Sequence, residues 1–132
     1  MVTFVDTSAI YAILDARDTN HGTAAGVYAR LTEGGDTLVT TNYVVIEATA
    51  LLQRRLGLTA VRAFAEEMVP LMDVVWVSER AHHAATAALL AANRKDLSLV
   101  DCTSFEVLRE HGIRTAFCFD MHFREQGFQI AG

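Results

Sequence analysis

Thr3-Phe4-Val5-Asp6-Thr7-Ser8 is the segment from which the rest of the chain can be read. A short run of strand-favouring residues stops at an acid, and hydroxyl side chains suited to capping a helix follow at once. The pattern predicts a buried strand over Thr3–Val5 and a helix capped by Ser8 that runs to about Leu14. Similar units recur downstream. Thr37–Thr40 reads as a strand, followed by Asn42 as cap and a helix from about Tyr43 to Leu56, stopped by Gly57. Val74–Val77 reads as a strand before a helix over Glu79–Ala92. Thr115–Phe119 reads as a strand ending at Asp120, with a short helical turn and a last strand, Phe128–Ile130, beyond it. Further helices are expected over Thr23–Leu31, stopped by Gly34-Gly35, from Thr59 to a break or kink at Pro70, and over Ser98–His111, stopped by Gly112. Strands that are continuous apolar runs, separated by helices, indicate an α/β fold with a central parallel sheet flanked by helices on both faces. Ligands of such sheets bind beyond the carboxyl ends of the strands, near the point where strand order reverses.

The composition agrees with one such unit. The 132 residues suffice for a single domain over residues 1–132. A 52% hydrophobic and 20% charged composition excludes a disordered chain, and one Pro with 8 Gly excludes a collagen-like one. Two Cys cannot form a disulfide scaffold. The formal charge of −5 excludes a basic arm that coats nucleic acid by charge alone. Met1 to Asp6 lacks the basic and apolar regions of a signal peptide, and no apolar run is long enough to span a bilayer. A cytoplasmic protein without membrane attachment is expected.

Four acids stand where acids are costly or conspicuous. Two expected strands end in Asp6 and Asp120. Glu47 follows Val44 by three residues and precedes Leu51 by four, which puts it on the apolar stripe of its helix. Asp101 shares a helix face with Leu97, Phe105 and Leu108, whereas Glu106 and Glu110 face away with Arg109. An ionised carboxylate on an inward face requires a partner or a metal. Bland readings exist for each: a capping box in Ser98-x-x-Asp101, turn formation by Asp6 and Asp120, and pairing of Glu47 with Arg54 or Arg55. Taken together, the four read as a carboxylate tetrad around hard cations, for which Mg²⁺ and Mn²⁺ have the right preference for oxygen.

Four blocks carry a family resemblance: Phe4-Val5-Asp6-Thr7-Ser8-Ala9, Thr41-Asn42-Tyr43-Val44-Val45-Ile46-Glu47, Leu97-Ser98-Leu99-Val100-Asp101-Cys102-Thr103-Ser104-Phe105 and Phe119-Asp120-Met121-His122-Phe123. Their order and spacing resemble the PIN-domain ribonucleases, and among these the VapC-type toxins of toxin–antitoxin pairs. The resemblance runs nearly end to end. It implies a PIN-like α/β domain and a Mg²⁺- or Mn²⁺-dependent endoribonuclease, with the catalytic, metal-binding tetrad on Asp6, Glu47, Asp101 and Asp120. Asp6 and Asp101 are the foremost ligand candidates; Glu47 and Asp120 are candidates to bind metal, hold its waters or orient the attacking water. Thr7, Ser8, Thr103 and Ser104 could donate hydrogen bonds to carboxylates or phosphate, or serve only as caps. The resemblance also implies an RNA substrate, tRNA or ribosomal RNA, a VapB-type antitoxin as partner, and a homodimer. Without the four acids the formal charge would be −1, so the acidity is largely that of the expected site.

Other reactive residues suggest no second centre. His82 and His83 are adjacent and diverge on a helix, and His21, His111 and His122 lack a second ligand at zinc spacing. His122 alone lies near the acids. Cys102 and Cys118 read as packing residues, and the Ala84–Ala92 stretch as close helix packing. Arg54-Arg55 and Arg94-Lys95 are candidates for RNA phosphate contacts or ordinary solvated faces. Rival classes fit less well. A haloacid-dehalogenase-like phosphatase needs a second Asp two residues after the first, where Ser8 stands. A receiver domain needs a Lys at a late strand end, and the sole Lys, Lys95, lies in a polar helix end or loop. A non-catalytic PIN module and a ribonuclease without an antitoxin are the remaining alternatives.

Overall fold

Thr3, Phe4 and Val5 are all wholly buried. Successive strand residues point to opposite faces of a sheet, so this strand is covered on both sides. The computed structural model describes residues 1–131. Five strands, β1 (Val2–Val5), β2 (Thr37–Thr41), β3 (Met72–Val75), β4 (Thr115–Phe117) and β5 (Gln129–Ile130), form one sheet in the order β3-β2-β1-β4-β5. Every pairing is parallel. The helices are α1 (Thr7–Leu14), α2 (His21–Glu33), α3 (Asn42–Leu56), α4 (Leu58–Ala63), α5 (Glu79–Ala92), α6 (Leu99–Glu110) and α7 (His122–Glu125). The chain winds outward from β1 through β2 to β3 and then returns to the other side of β1. Strand order therefore reverses between β1 and β4, where a crevice opens at the carboxyl ends.

The expected α/β architecture is present, with local differences that have physical causes. β3 begins two residues earlier than expected and stops at Val75, because β2 offers it partners only over Leu38–Thr41. Trp76 consequently lies outside the sheet and is 77% exposed. β4 stops at Phe117, since it pairs with β1 only over Thr3–Val5. Asp120 thus follows the strand by three residues instead of ending it. The helix expected to run from Thr59 to Pro70 starts at Leu58, widens into a π-helical stretch over Phe64–Met68 and tightens into a 3₁₀ turn at Val69–Leu71. Pro70 has no amide to continue the α-helical ladder. Gly57 stops α3 as expected, at φ 86°, a backbone state that disfavours any side chain.

On α3 the buried stripe is Val44, Ala48 and Leu52, and Glu47 lies half-buried at its margin. On α6 the inward residues include Phe105 and Leu108, as expected. α5 packs on α6, and the loop between them carries Arg94 and Lys95. Among the described residues, no helix is long and apolar enough to cross a membrane.

Candidate metal centre

The sequence places one acid at the end of β1. That acid, not Ser8, caps the following helix: Asp6 has extended backbone angles and its carboxylate accepts from the Ser8 amide. Ser8 serves the site differently. Its hydroxyl donates to Asp6 Oδ2 at 2.8 Å and accepts from the Phe119 amide at 2.9 Å. One hydroxyl thus ties the end of β1 to the segment that carries Asp120. The cap of α3 also lies earlier than expected, by one residue, with Thr41 Oγ1 accepting from the Val44 amide.

Asp101 enters the site from the first turn of α6. Ser98 Oγ accepts from the Asp101 amide at 3.0 Å, and Asp101 Oδ2 accepts from the Ser98 amide at 3.1 Å. This is the reciprocal capping box anticipated as the bland reading. The two readings of Asp101 coexist, because one carboxylate oxygen suffices for the cap. Asp120 sits in the β4–α7 connection, where its Oδ1 accepts from the His122 amide at 3.0 Å.

Asp6, Asp101 and Asp120 converge: one carboxylate oxygen from each lies within 4.8 Å of the other two. A small aromatic knot sets this geometry. Phe123 packs against Phe4 and Phe105, with ring centroids 6.1 and 5.0 Å away. Phe4 lies two residues before Asp6, Phe105 four after Asp101 and Phe123 three after Asp120. The three elements that carry the acids are therefore packed together directly beneath them.

Crowding of like charges disfavours their ionisation. Burial, followed by the Asp120 charge, pushes the Asp6 carboxyl up to about 8; hydrogen bonds from Ser8 oppose this, and Asp101 adds to it. Burial also raises Asp101, against hydrogen bonds from Ser98 and with a contribution from Asp120. Three convergent carboxylates without thiolate or imidazole make a donor set that could hold a hard divalent cation, and a dication would remove the repulsion among them. Beside this set, the buried Thr7 Oγ1 has no hydrogen-bond partner, nor has Ser104 Oγ, one helix turn beyond Asp101.

Glu47 is not part of this trio. Among the described residues it forms no ion pair with Arg54 or Arg55; Arg55 instead lies over the Tyr11 ring at 5.3 Å. Thr103 Oγ1 donates to the Leu99 carbonyl within its own helix. His82 Nδ1 and the Tyr43 hydroxyl are 2.7 Å apart, His21 Nδ1 lies 2.8 Å from the Ala12 carbonyl oxygen, and neither belongs to a ligand cluster. Cys102 and Cys118 are buried free thiols, as expected of packing residues. Arg94 is held by Asp96 and Glu125. Arg124, which the sequence did not mark, lies in α7 with Asp120 on the wall of a common crevice. Its only sequence signal is a position four residues past Asp120.

A parallel sheet with acids converging at its switch point narrows the field to a small set of folds. The PIN domain is the family whose pattern matches residues 3–129, and the chain belongs to it. Within that family it is similar to the 23S rRNA-specific endonuclease VapC20 of Mycobacterium tuberculosis. The two are 36% identical over 126 residues, which cover 95% of this chain and 94% of that one. The crystal structure of M. tuberculosis VapC20, described as a sarcin–ricin loop cleaving toxin, superposes with a TM-score of 0.86 at 34% identity. It covers 97% of this chain and 96% of the other. The fold is shared more distantly with FitAcB of Neisseria gonorrhoeae, at a TM-score of 0.68 and 13% identity over 100% of this chain and 97% of that one. It is also shared with VapBC2 of Rickettsia felis, at 0.69 and 8% over 98% and 97%.

Proposed function

We propose that this protein is a metal-dependent endoribonuclease and the toxin of a toxin–antitoxin pair. The observation that carries the reading is the convergence of Asp6, Asp101 and Asp120 in a chain similar over nearly its full length to an rRNA-cleaving VapC toxin. Asp6, Asp101 and Asp120 hold Mg²⁺ or Mn²⁺, with Glu47 as the fourth acid, orienting the attacking water or holding the ion's waters. Bound there, the cation would stabilise charge on the scissile phosphate and lower the pKa of water. Ser8 fixes one oxygen of Asp6, and Ser98 fixes one of Asp101, which leaves the other oxygen of each carboxylate free to bind the ion. The His122 amide does the same for Asp120. Ribosomal RNA is the favoured substrate, on the likeness to VapC20.

The purified protein should cut ribosomal RNA in Mg²⁺ or Mn²⁺ and stop in EDTA. Cleavage that persists undiminished in EDTA, with contaminating nuclease excluded, overturns the metal-dependent reading.

The proposed partners are an antitoxin of the VapB type and a second copy of the chain. Exposed apolar side chains such as Ile46, Leu58, Trp76 and Leu90 offer surface for either. Expression alone should arrest growth, and co-expression with a short adjacent gene should relieve the arrest and yield a co-purifying complex. Neither arrest nor complex would point to a ribonuclease that acts alone.

A further inference from the structure

Beside the acidic trio, and sharing Asp120 with it, lies a crevice of about 250 Å³. Its walls include Thr23 of α2, Phe119, Asp120 and Met121 of the β4–α7 connection, Arg124 of α7 and Ile130 of β5. Three features define what it could take. First, Asp120 belongs both to the trio and to this wall, so an occupant would abut whatever is bound between the acids. Second, Arg124 is the basic residue of the wall. Among the described residues it forms no ion pair, whereas nearby Arg94 is neutralised by Asp96 and Glu125. A free guanidinium in a chain of net charge −5, set against the acidic centre, recognises an anionic group such as a phosphate. Third, the rest of the wall is mostly apolar. Met121 is 70% exposed with Phe119 and Ile130 nearby, and the Thr23 hydroxyl supplies a polar contact point. Phosphate recognition next to an apolar wall that includes an aromatic ring is the chemistry of a nucleotide.

We propose that this crevice is a subsite for one unpaired nucleotide of the RNA strand, next to the phosphate that is cut: Arg124 binds the nucleotide's own phosphate, and Met121, Phe119 and Ile130 receive its base. The inference rests on the ribonuclease reading above. At about 250 Å³ the crevice lies just below the roughly 300–1,000 Å³ of typical ligand clefts, a size suited to one small group such as a single nucleotide. A base inside a duplex is stacked and paired, and must leave the stack to enter a pocket.

The test has a binding arm and a kinetic arm. In the first, ¹⁵N-labelled protein in EDTA is titrated with adenosine and uridine 5′-monophosphates, with inorganic phosphate and free adenosine as comparisons. The nucleotides should move the amide signals of Thr23, Met121, Arg124 and Ile130 at lower concentration than either comparison. Arg124→Ala should weaken their binding by roughly tenfold, the loss of a charge-assisted hydrogen bond. Arg124 is exposed, so the variant should fold. In the second arm, cleavage of a single-stranded oligonucleotide by Arg124→Ala should show KM raised by more than kcat is lowered. Nucleotide shifts confined to the acidic trio, no shifts at all, or equal binding by Arg124→Ala overturns the subsite. If wild type cuts no RNA, the ribonuclease reading fails, and the binding arm still decides whether the crevice takes a nucleotide. If wild type cuts RNA and Arg124→Ala matches it in KM, the subsite alone falls.

Discussion

Asp6→Asn and Asp101→Asn should each give a folded protein whose RNA cleavage falls by about a thousandfold or more. A catalytic cation contributes several kcal/mol of transition-state stabilisation, and each 1.36 kcal/mol is about tenfold in rate. Asparagine is the informative replacement because it preserves the local architecture. Asp6 is the N-cap of α1, a position at which Asn serves about as well as Asp. Asp101 accepts from the Ser98 amide, and an amide oxygen can accept the same bond. Circular dichroism and melting should therefore report native structure in both variants while activity is lost. Wild-type cleavage by either variant would remove that residue from the proposed cation site. Glu47→Gln discriminates further: as it lies outside the trio, its substitution should reduce cleavage with less effect on metal affinity than Asp6→Asn.

Mg²⁺ should raise the melting temperature of wild type at pH 7.5 by on the order of 10 °C when free metal exceeds its Kd about a hundredfold. That excess corresponds to about 2.7 kcal/mol of linkage. The metal-free protein supplies the other half of the test. Burial and the Asp120 charge lift the Asp6 carboxyl from 3.8 to about 8 in the folded state. A folded pKa raised above the unfolded one means that the folded state holds the proton more tightly. Its contribution to stability is fully present below pH 3.8 and is lost as pH rises towards and through about 8. Metal-free wild type should thus become less stable between pH 5 and about pH 8.5, a range that brackets the raised value. Asp6→Asn, which has no proton to lose, should show a shallower decline and exceed wild type at the upper end. Its Mg²⁺-induced rise should also be smaller. Melting curves of both proteins at the two pH values, with and without Mg²⁺, check these expectations. Equal Mg²⁺ shifts, or a metal-free Asp6→Asn protein less stable than wild type at pH 8.5, would exclude a strained cation pocket at Asp6.

Local sequence was sufficient for the succession of elements and for the choice of acids worth watching. Continuous apolar strands between capped helices imply a parallel sheet, and the four resemblance blocks are legible because they are short and contiguous in the chain. The Ser98–Asp101 capping box needs only a three-residue spacing, so it could be read without a fold. Four matters depended on tertiary structure. Strand ends are set by the reach of a partner strand, which is why β3 and β4 stop earlier than their apolar runs. That Glu47 lies outside the trio depends on how α3 packs against the rest of the fold, whereas helical periodicity reports only a face and leaves depth undefined. The raised pKa of Asp6 comes from burial and from Asp120, a residue 114 positions away in sequence. The same holds for Phe4, Phe105 and Phe123, which look like ordinary core residues one at a time. Only the strand order β3-β2-β1-β4-β5 brings them into one knot and their neighbouring acids within reach of one another. Chain-local chemistry can nominate a carboxylate, but convergence is a property of the packing that holds β1, α6 and α7 together.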